Sequence, residues 1–351
     1  MLLKPIDIAG RKVGPGQPCF VIAEAGVNHN GSQEIALKMI DTAKVAGADA
    51  VKFQTFDAER TVTLDAPLAA YQRQATGIDE SQFQMLKRLE LSPDAHRELQ
   101  AFCRERDLLF LSTPFDEKSA DFLEVLGIPA FKIPSGEITN LPFLEHVARK
   151  RRPVIVSTGM SSFEEVGAAV DIIRKTGNNN LILLHCVSAY PARAADANLR
   201  AMHTMATAFD VPVGYSDHTL GVEVALAAVA LGACVIEKHF TLDRNLSGPD
   251  HRASLEPDEL RTLVSGVRTV EAALGHGRKE PAPCEAETVA VSRKSIVTAR
   301  DIPAGTIITR ELIVMKCPGA GLPPSMLGQI VGRIAAQDIP ADTLLTSEML
   351  R

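Results

Sequence analysis

Eight short, almost wholly apolar runs between residues 19 and 239 constrain this chain more than any other feature of its sequence. They are CFVIAE (19–24), DAVKFQ (49–54), LLFLST (108–113), AFKIPS (130–135), PVIVST (153–158), LILLHC (181–186), VPVGYS (211–216) and ACVIEKH (233–239). Apolar at consecutive rather than alternate positions, they read as parallel strands covered on both faces. Helical patterns separate them. Ser32 precedes QEIALKMIDTAKVAG, Ser92-Pro93 precedes DAHRELQAFCRERD and Ser161 precedes SFEEVGAAVDIIRKTG, while Gly47, Gly177 and Gly232 suit helix C-termini. Eight strand and helix pairs in roughly 255 residues predict an α/β fold of the (β/α)8 TIM-barrel type. The competing open, doubly wound sheet is disfavoured because no GxGxxG follows the first run.

The barrel accounts for residues 1–275. Beyond it, GHGRKEPAPCEAET mixes Gly, Pro and charge and reads as an exposed linker over 276–290. Residues 291–351 then predict a small, mostly β unit, in which DIPAGTIIT and DIPADTLLT look like the two halves of a duplicated hairpin module. A unit of about 60 residues is small enough to need support from a partner surface.

Composition removes several functional classes. The 37 Lys and Arg against 43 Asp and Glu give a net charge of -6, and no basic block occurs, so a nucleic-acid scaffold is disfavoured. The six cysteines form no CxxC pair, which reads as reduced thiols and a cytoplasmic location. The N-terminal MLLKPIDIAGRKVGPG has no apolar run of signal-peptide length, and the longest apolar stretch, Ala225 to Ile236, is too short to span a bilayer. No membrane role is expected.

What predicts a site is the placement of polar residues at the ends of the apolar runs, where barrels carry their chemistry. Glu24, Lys52, Gln54, Ser112, Thr113, Lys132, Ser135, Ser157, Thr158, His185, Tyr190, Ser216, His218, Glu237, Lys238 and His239 all fall there. Such groups are not left among buried strands without a ligand or mutual pairing, so they are expected to converge on one mouth. Lys52 and Lys132, with Thr113, Ser135, Ser157 and Ser216, compose an anion site for phosphate or carboxylate. A purely structural reading pairs the lysines with Glu24, Glu137 or Glu237. A second chemical reading makes one lysine a Schiff-base nucleophile, as in barrel aldolases. His218 and His239, at the ends of adjacent strands, can reach one ion, and two nitrogens with open positions suit Mn2+ or Mg2+ acting as a Lewis acid better than closed zinc. His29 in GVNHNG is either a solvated loop residue or a further member of the mouth, and His185 is expected to hydrogen-bond within the barrel.

At these residues the sequence resembles the sialic acid synthase family, bacterial enzymes that condense phosphoenolpyruvate with an N-acetylated hexosamine. IAEAGVNHNGS, VKFQT, LSTPFD, FKIPSGEITNLP, STGM, LLHCVSAYP, VGYSDHT, IEKHFTLD and GPDHRASLEP carry the resemblance, in order and over practically the whole chain. The tail is similar to the antifreeze-like SAF domain of that family, which implies a domain-swapped homodimer in which each tail covers the partner's barrel. A non-enzymatic ice- or carbohydrate-binding role for the tail leaves the charged mouth without a purpose.

The resemblance puts the phosphoenolpyruvate site on Lys52, Thr113, Lys132, Ser135, Ser157 and Ser216, and the manganese ligands on His218 and His239. Sugar-facing residues fall on Glu24, Gln54, Tyr190 and Asp250, with Glu137 near the reacting atoms; Glu24 and Glu137 are the candidates for proton transfer. Two positions depart from the pattern: Cys317 stands where the family commonly has Arg, and Ser188 where some members have Asn. The implied reaction gives a nonulosonic acid and phosphate. N-acetylmannosamine, giving N-acetylneuraminate, is the first expectation for the sugar, with a 2,4-diacetamido-2,4,6-trideoxymannose giving a legionaminic acid as the alternative.

Overall fold

Each of the eight apolar runs forms a strand in the computed structural model, which describes residues 4–76 and 80–351. A hairpin, β1 (Ile6–Ile8) and β2 (Arg11–Val13), precedes β3 (Phe20–Gly26), β4 (Ala50–Thr55), β5 (Leu109–Pro114) and β6 (Phe131–Ile133). Strands β7 (Val154–Ser157), β8 (Leu181–Cys186), β9 (Val213–Asp217) and β10 (Val235–His239) complete the set. They pair in the order β5-β4-β3-β10-β9-β8-β7-β6, and the ladder between β10 and β3 joins the last strand to the first. Strands β5 and β6 lie side by side without a ladder between them, so the parallel sheet is a barrel closed but for that seam.

Side-chain alternation divides the strands into two cores. Phe20, Ile22, Leu111, Ile155, Ile182, Leu184 and Val235 point inward, and Ile6, Ile8 and Val13 of the hairpin join them as a plug. Val21, Val51, Phe110, Val156, Leu183 and Ile236 point outward into the layer shared with the helices. Full burial of each such side chain contributes about 1.5–3 kcal/mol. The plug is also held by charge. Asp49 pairs with Arg11 of β2 and, at 2.8 Å, with Arg268 of the helix Pro257–Leu274, while Arg268 donates to the Cys19 carbonyl at 2.8 Å.

The helices start where capping chemistry dictates. Ser32 Oγ accepts from the Ile35 amide ahead of Gln33–Ala46, and Gly47, with φ 83°, ends that helix in a conformation glycine adopts without a Cβ penalty. Ser92 caps Pro93–Glu105 in the same way. The helix Phe163–Lys175 is capped by Ser162, in a box with Glu165, and not by Ser161, whose hydroxyl donates to the Gly159 carbonyl. Between β4 and Pro93–Glu105 the chain makes three extra short helices, Ala58–Thr61, Ala70–Thr76 and Gln82–Leu89.

The chain divides into two units, Met1–Gly275 and His276–Arg351. In the second, the stretch read as linker runs into a 3-10 turn, Pro283–Glu285, and an exposed helix, Ala286–Ser292, where no helix was expected. Strands β11 (Ser295–Thr298) and β12 (Ile313–Lys316) then pair antiparallel. The two similar phrases face each other with reciprocal contacts. Ile302 bridges Ile339, Asp301 Oδ1 accepts from the Ala341 amide, and Asp338 Oδ1 accepts from the Ala304 amide, both at 2.7 Å. Ile296, Ile302, Ile308, Ile313, Ile339 and Leu345 form the core of this unit. No helix among the described residues is long and apolar enough to cross a membrane.

Candidate active site

The C-terminal ends of β3 to β10 surround a cavity of about 610 Å³, and the thirteen side chains expected in the anion, metal, sugar and proton-transfer roles all line it. Lys52 on β4 and Lys132 on β6 are each 3% exposed. Lys52 is paired with Glu24 and lies 3.6 Å from one oxygen of Glu237; Lys132 lies 3.4 Å from the other. Lys52 Nζ also donates to Thr113 Oγ1 at 2.9 Å, and Ser216 Oγ donates to Glu237 at 3.0 Å. The two ammonium groups thus meet at one carboxylate. Pairing with Glu24 and Glu237 is what the structural reading of the lysines foresaw, but Glu137 takes no part: it is half-buried and accepts from Asn140 Nδ2 at 2.7 Å.

This cluster is costly in a buried site, and its protonation shows it. Burial pushes the Glu24 carboxyl up to about 7 against the pull of Lys52. Burial works on Glu237 in the same sense, but Lys132 and Lys52 outweigh it and hold that carboxyl below the ordinary range. For Lys132 burial prevails and lowers its affinity for the proton, whereas for Lys52 the charges of Glu237 and Glu24 overcome burial and raise it. Ser157 Oγ is buried without a hydrogen-bond partner among the described residues. That hydroxyl and the two lysines line one cavity, a donor set whose chemistry suits an anion.

Ser135 completes the hydroxyl set from the turn after β6. Its Oγ accepts from the Gly159 amide at 2.9 Å and lies 3.1 Å from Cys186 Sγ. Gly159 has no alternative there, since a Cβ would collide with Ser188 Oγ, Cys186 Sγ and Ser135 Oγ.

His218 and His239 bring their ring centroids to 5.6 Å. Burial keeps both neutral, His239 well below the ordinary imidazole range. His218 Nδ1 is 2.7 Å from the Val187 carbonyl, a hydrogen bond that leaves Nε2 as the lone-pair nitrogen. His239 Nδ1 is buried and has no hydrogen-bond partner among the described residues. Two neutral imidazoles with free nitrogens fit a shared divalent cation. No group of three or more His, Cys, Asp or Glu suited to a metal occurs among the described residues, so further ligands would come from water or substrate.

Tyr190 packs against His218, with centroids 4.2 Å apart and planes tilted by 36°, and stands edge-on to His239 at 5.8 Å. Gln54 is half-buried nearby in the lining, and Asp250 is buried, which raises its carboxyl to about 6.

Four of the strand-end residues expected at the mouth are absent from its lining. Ser112 bonds Thr55 Oγ1, Thr158 donates to the Leu184 carbonyl, His185 bonds the Ala197 carbonyl, and Lys238 donates to Asp217 and to the Thr219 carbonyl. Each follows or precedes an inward residue, so the pleat turns it outward. His185 keeps its bond close to the strand end. His29 is also outside the lining: it is 1% exposed, accepts from the Gly31 amide, and is held neutral by burial, its pKa down to about 3.

Cys186 and Tyr71 line the cavity and were missed from the sequence, where they carried no signal. Glu237 was expected at the mouth without a role beyond pairing the lysines, although two residues before His239 in a strand it shares that side chain's face.

Residues 39–279 match the profile of the NeuB family, and residues 293–351 that of the SAF domain. The chain belongs to the NeuB family. N,N'-diacetyllegionaminic acid synthase of Legionella pneumophila is 48% identical over 91% of this chain and 91% of its own length. The human N-acetylneuraminate-9-phosphate synthase is 40% identical, over 92% of this chain and 90% of its own. Among solved structures, the sialic acid synthetase of Leptospira borgpetersenii in complex with citrate superposes with a TM-score of 0.72 at 38% identity, covering 82% of this chain and 95% of that one. This NeuB-family chain therefore aligns over about nine-tenths of its length with a named diacetyllegionaminic acid synthase and a named N-acetylneuraminate-9-phosphate synthase.

Proposed function

We propose that the chain is a nonulosonic acid synthase that condenses phosphoenolpyruvate with an N-acetylated amino sugar and water, releasing phosphate. The observation that carries the reading is the meeting of Lys52 and Lys132 at Glu237, in a cavity that also holds the imidazole pair. Phosphoenolpyruvate offers a phosphate and a carboxylate on three carbons. Lys52, Lys132, Thr113, Ser135, Ser157 and Ser216 supply the charge and donors to hold both, and so fix its C3 for attack on the aldehyde carbon of the open-chain sugar. Water adds at C2, and the C2–O bond to phosphate breaks.

Glu24, poised near neutrality, is the group best suited to exchange a proton with the attacking water or the sugar oxygen; Glu137 is the second candidate. Gln54, Tyr190 and Asp250 face the sugar. His218 and His239 would hold Mn2+, or Mg2+, which when bound supplies Lewis-acid polarisation of the aldehyde oxygen.

For the sugar we favour 2,4-diacetamido-2,4,6-trideoxymannose over N-acetylmannosamine. The product named for the Legionella relative supports this, as do Phe56, Met85, Leu86 and Phe115 in the lining, an apolar wall suited to a 6-deoxy methyl. A homodimer with exchanged C-terminal units and a reducing cytoplasm complete the reading; six free cysteines support the latter. Phosphate release with phosphoenolpyruvate, Mn2+ and each sugar tests the proposal. No release with either sugar refutes it, and an adduct trapped by borohydride on Lys52 or Lys132 would favour a Schiff-base aldolase instead.

A further inference from the structure

Tyr71 reaches the cavity from outside the barrel framework. It sits on the helix Ala70–Thr76, in the inserted segment between β4 and Pro93–Glu105, so no strand register places it there. Its ring stacks on Tyr190 with centroids 5.1 Å apart and planes 27° apart. Tyr190 in turn packs against His218, with the ring planes tilted by 36°. Three rings in contact therefore run from the inserted segment to the imidazole pair.

Both tyrosines are half-buried and line the cavity. Burial raises the Tyr71 phenol, and the charge of nearby Asp250 raises it further, so the hydroxyl stays protonated beside that carboxyl. A flat aromatic surface packs against C–H groups and amide planes, which the lysine end of the cavity does not do. The cavity thus has a charged end for an anion and an aromatic end for something less polar.

We propose that Tyr71 is a recognition residue for the amino sugar, forming with Tyr190 the platform on which its C–H face and acetamido plane rest. This inference depends on the functional reading above and extends it to a side chain outside the barrel strands. Anion binding at Lys52 and Lys132 is independent of Tyr71.

The test uses Tyr71→Leu and Tyr71→Phe in the full chain, with phosphate release measured against both substrates. Tyr71→Leu should raise the sugar KM about tenfold or more and leave the phosphoenolpyruvate KM within about twofold, while Tyr71→Phe, which keeps the ring, stays near wild type. An unchanged sugar KM in Tyr71→Leu, or an equal rise in both KM values, overturns the proposal. Unaltered far-UV circular dichroism and melting temperature exclude misfolding as the cause.

A second readout separates this inference from the reaction itself. The chain has no Trp and three Tyr, and Tyr215 is fully buried, so sugar-dependent tyrosine emission reports chiefly on Tyr71 and Tyr190. Titration with N-acetylmannosamine and with the diacetamido sugar, in inorganic phosphate, should change the emission of wild type, and in Tyr71→Leu the remaining Tyr190 response should need about tenfold more sugar or more. If wild type releases no phosphate, the functional reading fails and this titration alone decides: a midpoint moved to higher sugar in Tyr71→Leu supports the platform, and an unmoved midpoint, or no change with either sugar, overturns it.

Discussion

Lys132 and Glu237 face each other at 3.4 Å in the barrel mouth, both almost wholly buried, and the same carboxylate also faces Lys52. Breaking a buried pair by removing one partner leaves an uncompensated charge, which costs several kcal/mol. Glu237→Gln should therefore lower the stability of the ligand-free protein by about 3 kcal/mol in urea denaturation. Phosphoenolpyruvate should restore more stability to the variant than it adds to wild type, because it brings a replacement anion. Equal stabilisation of the two would mean that Glu237 does not stand in for the donor.

The pH profile of turnover should report Glu24. Burial lifts its carboxyl to about 7, so the group is neutral below that pH and ionised above it. With Glu24 acting as a base, kcat/KM rises with pH through about 7, and Glu24→Gln abolishes that limb along with most of the rate. A wild-type profile flat between pH 6 and 8, in a buffer series of constant ionic strength, would contradict this role.

Asp250 offers a stability test with a definite sign. Its folded-state pKa is raised from 3.8 to about 6 by burial, so the native state binds the proton more tightly than the unfolded chain does. The stabilisation this gives is complete below pH 3.8 and is lost as pH rises through about 6. Asp250→Asn escapes that loss. It should be more stable than wild type at pH 7, by up to about 3 kcal/mol, with the gain shrinking toward pH 4, and should bind the sugar less well. Paired denaturation curves at the two pH values check the first part, and sugar KM the second.

His239 is the residue on which the metal proposal turns. His239→Ala should keep the far-UV circular dichroism of wild type, lose Mn2+ binding by calorimetry, and lose at least about a hundredfold in kcat. Full activity in the variant after rigorous chelation would remove the ion from the mechanism.

Most of the scaffold was legible because a strand covered on both faces has to be apolar along its length, and eight such runs punctuated by capped helices leave few alternatives. The same property hid the facing of the residues. Without alternation, nothing in LLFLST or PVIVST says that Thr113 and Ser157 turn inward while Ser112 and Thr158 turn outward, and only the partners seen in the fold decide it. ACVIEKH did hold the answer: once His239 faces the cavity, Glu237 must as well and Lys238 cannot. Tyr71 lies in an insertion with no register to read, and Cys186 ends a run in which a thiol passes for one more small apolar group. The helix Ala286–Ser292 was hidden by its setting, a short AETVAVS directly after a Pro-rich stretch.

The hairpin Ile6–Val13 wedges its three apolar side chains into the far end of the cylinder. With that end filled, the barrel of the described residues is a cup rather than a pipe. Whatever is assembled inside has to depart by the opening that admitted its precursors, so each turnover must empty before the next can load, and departure competes with arrival for one doorway.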